Sequence, residues 1–151
     1  MKQIALASVA LALSACAHAP TGDTQFASCP AYQPAYDVTD RFMETFNSKD
    51  ADAWVQTFHL PSVRIASGEV RIIESAADLA PGFGRLAATG WDRSTWADRR
   101  VVQCGPDKAH MLTTFVRYRA DGSELSRFES LYIVEKKNGR WALTARSSFA
   151  P

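Results

Sequence analysis

The residues best suited to bind a small molecule lie in the second half of the chain, where apolar and polar residues alternate. This alternation places Arg117, Ser130 and Tyr132 on one face of a predicted sheet, among mostly apolar and aromatic side chains. A guanidinium there can hold a carboxylate or an enolate through paired hydrogen bonds. Trp91 and Trp96 supply flat rings that could line the slot of a planar ligand. We therefore predict that these residues contact a small apolar or anionic ligand.

Each of these residues also has a structural interpretation. Arg117 can extend from a strand end into solvent, and Tyr132 can be a core residue whose hydroxyl is bonded locally. The two tryptophans can fill the core or its rim. The sequence leaves these alternatives open.

Two residues are candidates for acid or base catalysis. His59 lies near the end of a predicted helix, and an imidazole titrates close to neutral pH. Alternatively, His59 interacts with the negative end of that helix. Tyr132 is the second candidate. The histidines and cysteines match no metal-binding spacing and no phosphate loop occurs, so we predict neither a metal nor a cofactor.

The opposite face of the sheet has a different expected role. Tight turns at Asp121-Gly122 and Asn138-Gly139 set the strand register, and this register places Glu129 diagonally beside Arg146 on that face. We predict an ion pair there rather than a general base, because a neighbouring arginine lowers the pKa of a carboxylate.

The overall composition favours one globular domain. The chain has 151 residues, of which 46% are hydrophobic and 22% charged. Its 17 basic and 16 acidic residues leave a formal net charge of +1. Binding of nucleic acid is not expected, because it requires a basic surface.

The N-terminal residues have the pattern of a targeting signal. A short basic start precedes an apolar stretch at residues 4–13, which is too short to span a bilayer. Residues 13–16, Leu-Ser-Ala-Cys, resemble a bacterial lipobox, which implies removal of residues 1–15, lipidation of Cys16 and a lipid anchor as the only membrane contact. We expect an outer-membrane lipoprotein that faces the periplasm. The alternative is cleavage at the A-x-A pattern of residues 17–19, which would give a soluble periplasmic or secreted protein.

A tether and one domain follow the signal. Residues 16–34 are rich in proline and lack apolar periodicity, so we predict a flexible tether before a domain at residues 35–151. Cys29 and Cys104 would both face an oxidising compartment. They form either a disulfide or two reduced thiols, and the sequence does not decide between these states.

Three helices are predicted in the first part of the domain. The apolar spacing of residues 36–48 is helical, and Asp50 is a suitable N-cap for a second helix that stops at Pro61. Residues 63–65 and 70–73 form a predicted hairpin. Ser75 opens a third helix, which Pro81 and two glycines should weaken or break.

The remainder of the chain has the period of strands. Four strands are predicted, at residues 94–104, 109–119, 124–136 and 140–148. We therefore predict an α+β fold in which three N-terminal helices pack on one face of a curved antiparallel sheet.

Several segments resemble the nuclear transport factor 2-like superfamily, in its uncharacterised bacterial branch beside the SnoaL-like polyketide cyclases and the ketosteroid isomerases. They are FNSKDADA at residues 46–53, HLPSVRI at 59–65, SLYIV at 130–134 and NGRW at 138–141. The resemblance implies a cone-shaped fold with an internal cavity and a homodimer formed through the sheet face. The aspartate base of the isomerases has no counterpart, because the comparable stretch offers His59, Ser62 and Arg64.

Three hypotheses for function follow. The first is a lipid-anchored envelope protein whose cone binds a small molecule. The second is an isomerase, dehydratase or cyclase that uses the same cavity. The third is a non-catalytic module that dimerises or docks an envelope partner through its sheet.

Overall fold

The structure is a computed structural model that describes residues 24–151. The predicted signal peptide and its lipidation site Cys16 therefore lie outside the described residues. No helix within the described part is long and apolar enough to cross a membrane.

One curved six-stranded sheet forms the framework. Its strands, in chain order, are β1 (Phe58–Ala66), β2 (Glu69–Ile73), β3 (Arg93–Cys104), β4 (Lys108–Tyr118), β5 (Glu124–Lys137) and β6 (Arg140–Ser148). Their spatial order is β2-β1-β6-β5-β4-β3. The sheet is mixed, because β1 pairs parallel to β6. This corrects the predicted all-antiparallel sheet: the early hairpin β1-β2 joins the sheet beside the last strand.

Three helices pack against one face of the sheet. They are α1 (Tyr32–Asn47), α2 (Ala51–Val55) and α3 (Ala76–Ala88). The buried stripe of α1 includes Val38 and Phe42, which belong to the same core as Met111 and Tyr132 of the sheet. Asp50 caps α2 as predicted, because its carboxylate accepts hydrogen bonds from two backbone N–H groups of the first turn.

The helix ends differ from the prediction in three places. α1 begins at Tyr32 instead of residue 36, after a short 3-10 helix at Thr24–Phe26. α2 ends at Val55, and Phe58 opens β1 because it pairs with β6. α3 continues through Pro81, since a capping box fixes its first turn and Leu79 anchors it in the core.

The segment before residue 35 is packed on the domain. Phe26 and Cys29 contact the core and Ala31 is fully buried, so part of the predicted tether is built into the fold. Cys29 is bonded to Cys104, and their Cα atoms are 6.3 Å apart. This disulfide joins the chain before α1 to the end of β3.

The register of β4 and β5 agrees with the prediction. Met111 lies opposite Tyr132, and Thr113 lies opposite Ser130. The turn between these strands is longer than expected, because it closes between Arg119 and Ser123. The Asn138-Gly139 turn has positive φ at both residues, as a type I′ hairpin requires.

The register of β5 and β6 changes partway along the pair. Val134 lies opposite Leu143 as predicted, but Thr144 is an extra residue, so that Ala145 pairs with Ile133 and Arg146 pairs with Tyr132. A one-residue shift turns a side chain to the other face. The predicted pair of Glu129 and Arg146 is therefore wrong, because Arg146 faces the helices.

Candidate ligand-binding cavity

A cavity of about 630 Å³ lies between the helices and the sheet. This volume lies within the range of sites for drug-sized ligands. Its apolar lining comes mainly from the helices and includes Phe42, Phe46, Trp54 and Leu79. The polar lining comes mainly from the strands. The cavity thus has an apolar helix wall and a charged sheet wall.

Strand pairing builds the charged wall. Arg64 lies opposite Arg71 on one side and Arg146 on the other, and Arg146 lies opposite Tyr132. These paired residues form one row across β2, β1, β6 and β5. Arg117 of β4 also lines the cavity. We call Arg64, Arg117 and Arg146 the arginine cluster.

Tyr132 is fixed by its contact with Arg146. The Arg146 Nη1 atom donates a hydrogen bond of 3.2 Å to the Tyr132 hydroxyl oxygen. The same guanidinium lies 5.8 Å from the centre of the Phe42 ring. Tyr132 is only 1% exposed, and burial raises the pKa of its phenol. The phenol is therefore neutral near pH 7, and its proton remains to be donated to a ligand.

Arg117 is held by rings rather than by hydrogen bonds. Its guanidinium lies 5.6 Å from the centre of Phe115 and 5.1 Å from that of Phe128. Its Nε atom is buried and has no hydrogen-bond partner. Burial, followed by repulsion from Arg146, lowers the pKa of Arg117 to about 10. This guanidinium remains charged at neutral pH in an unfavourable environment.

Arg64 is in a similar electrostatic position. Burial, followed by repulsion from Arg146 and Arg71, lowers its pKa to about 10. Its Nη2 atom donates hydrogen bonds to the carbonyl oxygens of Ala150 and Pro151, at 3.4 and 2.9 Å. These two hydrogen bonds satisfy the guanidinium in part.

Among the described residues, side-chain carboxylates form no ion pair with the arginine cluster. Within residues 24–151, no Asp or Glu oxygen lies within 4.0 Å of a guanidinium nitrogen of Arg64, Arg117 or Arg146. Two carboxylates do line the cavity. Glu69 is 3.8 Å from Arg71, and Asp78 accepts the backbone N–H groups of Glu74 and Ser75, which lower its pKa.

Two of the predicted ligand contacts line the cavity and three do not. Arg117 and Tyr132 are part of the lining. Ser130 instead donates its hydroxyl hydrogen to Ser148 at 2.7 Å. Trp91 donates its indole hydrogen to the Ser94 hydroxyl and belongs to the core, whereas Trp96 donates to the Thr39 carbonyl and packs against the core.

His59, the other catalytic candidate, lies outside the cavity. Its Nδ1 atom is 3.2 Å from Nη2 of Arg140, and its Nε2 atom is 3.0 Å from the Glu135 carbonyl oxygen. A guanidinium can only donate, so Nδ1 accepts and Nε2–H donates. Both ring nitrogens of His59 are therefore engaged within the fold.

Sequence reasoning did not select several residues that line the cavity. Arg146 was placed on the other face because the bulge at Thr144 leaves no signal in the strand pattern. Arg64 depends on the pairing of β1 with β6, which is distant in sequence. The sequence does not single out Trp54, because the state of its N–H group depends on tertiary packing. Among the described residues, no group of three or more His, Cys, Asp or Glu could hold a metal ion.

The comparisons with known proteins agree with this architecture. Residues 35–149 match the family model described as NTF2-like protein (DUF6841), and the chain belongs to this family. None of the curated proteins matches the chain in sequence.

Solved structures of the same fold come from several bacteria. A protein of unknown function with a cystatin-like fold from Nostoc punctiforme is 16% identical, with a TM-score of 0.64 over 79% of this chain and 90% of its own. An NTF2-like protein from Novosphingobium aromaticivorans is 15% identical, with a TM-score of 0.64 over 78% and 80% of the two chains. An NTF2-like protein of unknown function from Pseudomonas putida is 13% identical, with a TM-score of 0.63 over 80% and 87%. These similarities show the fold alone.

Proposed function

We propose that this protein binds a small amphipathic anion in the cavity of its NTF2-like domain. The observation that carries the proposal is the arginine cluster, whose three guanidinium groups form no ion pair with an Asp or Glu of residues 24–151 and lie on the wall of a cavity with a large apolar surface. Like charges held together in a partly buried site raise the free energy of the folded protein, and a bound anion would lower it.

The two walls favour a ligand that has an anionic part and an apolar part. A carboxylate, sulfonate or phosphate group would lie against Arg146, Arg117 and Arg64, where charge-assisted hydrogen bonds are strong. The Tyr132 hydroxyl would donate a further hydrogen bond. The apolar part of the ligand would lie against the aromatic residues Phe42 and Phe46 of α1.

Binding is favoured over catalysis by the state of the titratable groups. Of the carboxylates that line the cavity, Asp78 is committed to the capping box and Glu69 lies beside Arg71. The phenol of Tyr132 is protonated, so it is a donor rather than a base. The described part of the cavity therefore offers a site that holds an anion but no evident group to remove a proton from it.

The resemblance of residues 13–16 to a lipobox supports a proposed location for this activity. Lipidation at Cys16 would hold the domain at the bacterial outer membrane, so its ligand would be a molecule present in the envelope. The apolar outer face of the sheet supports a second proposal, a homodimer with its cavities facing away from the interface.

Two dyes test the proposed binding activity directly. Anilinonaphthalene sulfonate and N-phenylnaphthylamine share an aromatic body, but only the first carries an anion. We expect the sulfonate to bind at least about tenfold more tightly, a difference of about 1.4 kcal/mol. Equal affinities, or tighter binding of the neutral dye, would contradict the anion site.

A further inference from the structure

Two buried donors in the fold have no acceptor, and both belong to residues that line the cavity. Within residues 24–151, the buried side-chain nitrogen and oxygen atoms without a hydrogen-bond partner are Arg117 Nε and Trp54 Nε1. Buried donors are almost always paired in folded proteins, and an unpaired one is costly. The pair of exceptions points to a ligand with an acceptor for each.

Trp54 lies in the helix wall, near the end of α2. It is 8% exposed. Its ring centre is 4.8 Å from that of Phe46, 5.4 Å from that of Phe42 and 5.7 Å from that of Phe58. The indole is thus surrounded by aromatic rings that cannot accept a conventional hydrogen bond.

Other indoles of the same core show that this arrangement is not general. The Nε1 atom of Trp91 donates to Ser94 at 2.9 Å, and that of Trp96 donates to Thr39 at 3.3 Å. Both find acceptors within the fold, whereas Trp54, which lines the cavity, does not. The unpaired indole N–H group therefore occurs at the tryptophan that lines the cavity, and not at the two tryptophans outside it.

The two unpaired donors belong to opposite walls. Arg117 belongs to the sheet wall and Trp54 to the helix wall. Phe42 also lines the cavity, and its ring lies 5.8 Å from the Arg146 guanidinium of the sheet wall and 5.4 Å from the Trp54 ring. A ligand that reaches both donors must cross this aromatic surface. An acceptor at the Trp54 end should be uncharged, because an anion among aromatic rings would be poorly stabilised.

We propose that Trp54 is a specificity-determining residue that selects ligands with two separated acceptors, an anionic group for the arginine cluster and an uncharged carbonyl or ether oxygen for the indole N–H. This inference rests on the proposed anion-binding function and adds the second group. A hydroxyl oxygen could serve in the same place, since it also accepts a hydrogen bond.

A homologous series of straight-chain carboxylates tests the inference. Each acid is prepared with a methyl ketone at the far end and, as its match, with the ketone oxygen replaced by a methylene group. Affinity is measured by displacement of anilinonaphthalene sulfonate. At the chain length that spans the cavity, the ketone acid should bind about tenfold more tightly than its match, because only the ketone accepts from Trp54.

Substitution of the indole separates the N–H group from the ring. Trp54→Phe should abolish the preference for the ketone while leaving the affinity of the matched acid nearly unchanged. Trp96→Phe removes an indole N–H outside the cavity and should leave the preference intact. If Trp54→Phe fails to fold, replacement of residue 54 by benzothienylalanine keeps the ring size and removes the donor.

The outcomes distinguish the two proposals. Equal binding of the ketone acid and its match at every chain length, or a preference that survives at Trp54→Phe, would overturn the role of Trp54 and leave the anion site standing. Failure of all the carboxylates to displace the dye would overturn the anion site and this inference together.

Discussion

The Arg146 guanidinium donates a hydrogen bond of 3.2 Å to the Tyr132 hydroxyl, across neighbouring strands of the sheet. This contact exists because Thr144 is an extra residue in β6, which brings Arg146 opposite Tyr132 and turns it toward the helices. A single backbone irregularity thus places the central cation of the arginine cluster in the cavity.

Arg117 should lower the stability of the empty protein and strengthen the binding of an anionic ligand. Its buried Nε atom has no partner and its charge is repelled by Arg146. We expect Arg117→Met to raise the free energy of unfolding of the empty protein by about 1 kcal/mol and to weaken binding of anilinonaphthalene sulfonate. Urea unfolding and dye titration measure the two effects. Arg127→Met, at an exposed pair with Glu124, is the control and should change neither by much.

The difference in stability between Arg117→Met and the wild-type protein should depend on pH. The pKa of this group is lowered to about 10 in the folded protein. Between this pKa and the higher pKa in the unfolded chain, the folded protein binds fewer protons than the unfolded chain, so the wild-type protein gains stability as pH rises. The advantage of Arg117→Met should therefore be full at neutral pH and shrink above pH 10. An advantage that grows with pH would contradict this electrostatic explanation.

The disulfide should be a major contribution to stability. Cys29 and Cys104 are separated by 75 residues along the chain, and closing so long a loop restricts the unfolded chain strongly. We expect the double substitution of both cysteines by serine to lower the free energy of unfolding by about 2–5 kcal/mol. Chemical denaturation with and without reductant measures this loss. The serine variant should be insensitive to reductant; equal stability of the oxidised and reduced wild-type protein would contradict the role.

The outer sheet face should be the interface of the proposed homodimer. Leu131 lies on this face, and the adjoining strands expose Ile65 and Val70. Leu131→Arg would place a charge in the interface, and we expect a monomer by sedimentation velocity. Arg41→Gln, at an exposed residue of α1 on the helix side of the sheet, is the control. An unchanged sedimentation coefficient for Leu131→Arg, or a wild-type monomer, would count against the dimer.

Membrane attachment should depend on Cys16 alone. The thiol of this residue is the expected site of lipidation, and acyl chains anchor a protein in proportion to their buried length. Cys16→Ala should move the protein from the membrane fraction to the soluble periplasmic fraction. Retention of the variant in membranes would contradict the lipobox interpretation.

Local signals predicted much of the fold. Asp50 capped its helix as expected, and the Asn138-Gly139 turn formed with both residues at positive φ. The predicted register of Met111 with Tyr132 is also correct, although the turn between β4 and β5 is longer than expected and a bulge between Glu124 and Ser126 restores the pairing. These features depend on residues that are close in sequence or joined by a hairpin, so their physical causes are visible in the chain itself.

The candidate site was only partly predictable, because its missing members depend on distant contacts. Arg117 and Tyr132 were selected from strand alternation and line the cavity. Arg146 requires the bulge at Thr144, and Arg64 requires the parallel pairing of β1 with β6. Ser130 was assigned to the correct face, but its hydroxyl is bonded to Ser148. The alternation of residues along a strand predicts which face of the sheet a side chain occupies. The hydrogen-bond partner of that side chain depends on which strands pair in three dimensions.

The most direct test of the arginine cluster is the affinity of the sulfonated and neutral dyes for Arg146→Gln beside the wild-type protein. Glutamine keeps a hydrogen-bond donor and removes the charge, and Arg127→Gln controls for the loss of a surface charge. The account predicts that Arg146→Gln weakens binding of the sulfonated dye at least about tenfold and leaves binding of the neutral dye unchanged. Undiminished preference for the sulfonate in Arg146→Gln would contradict the account.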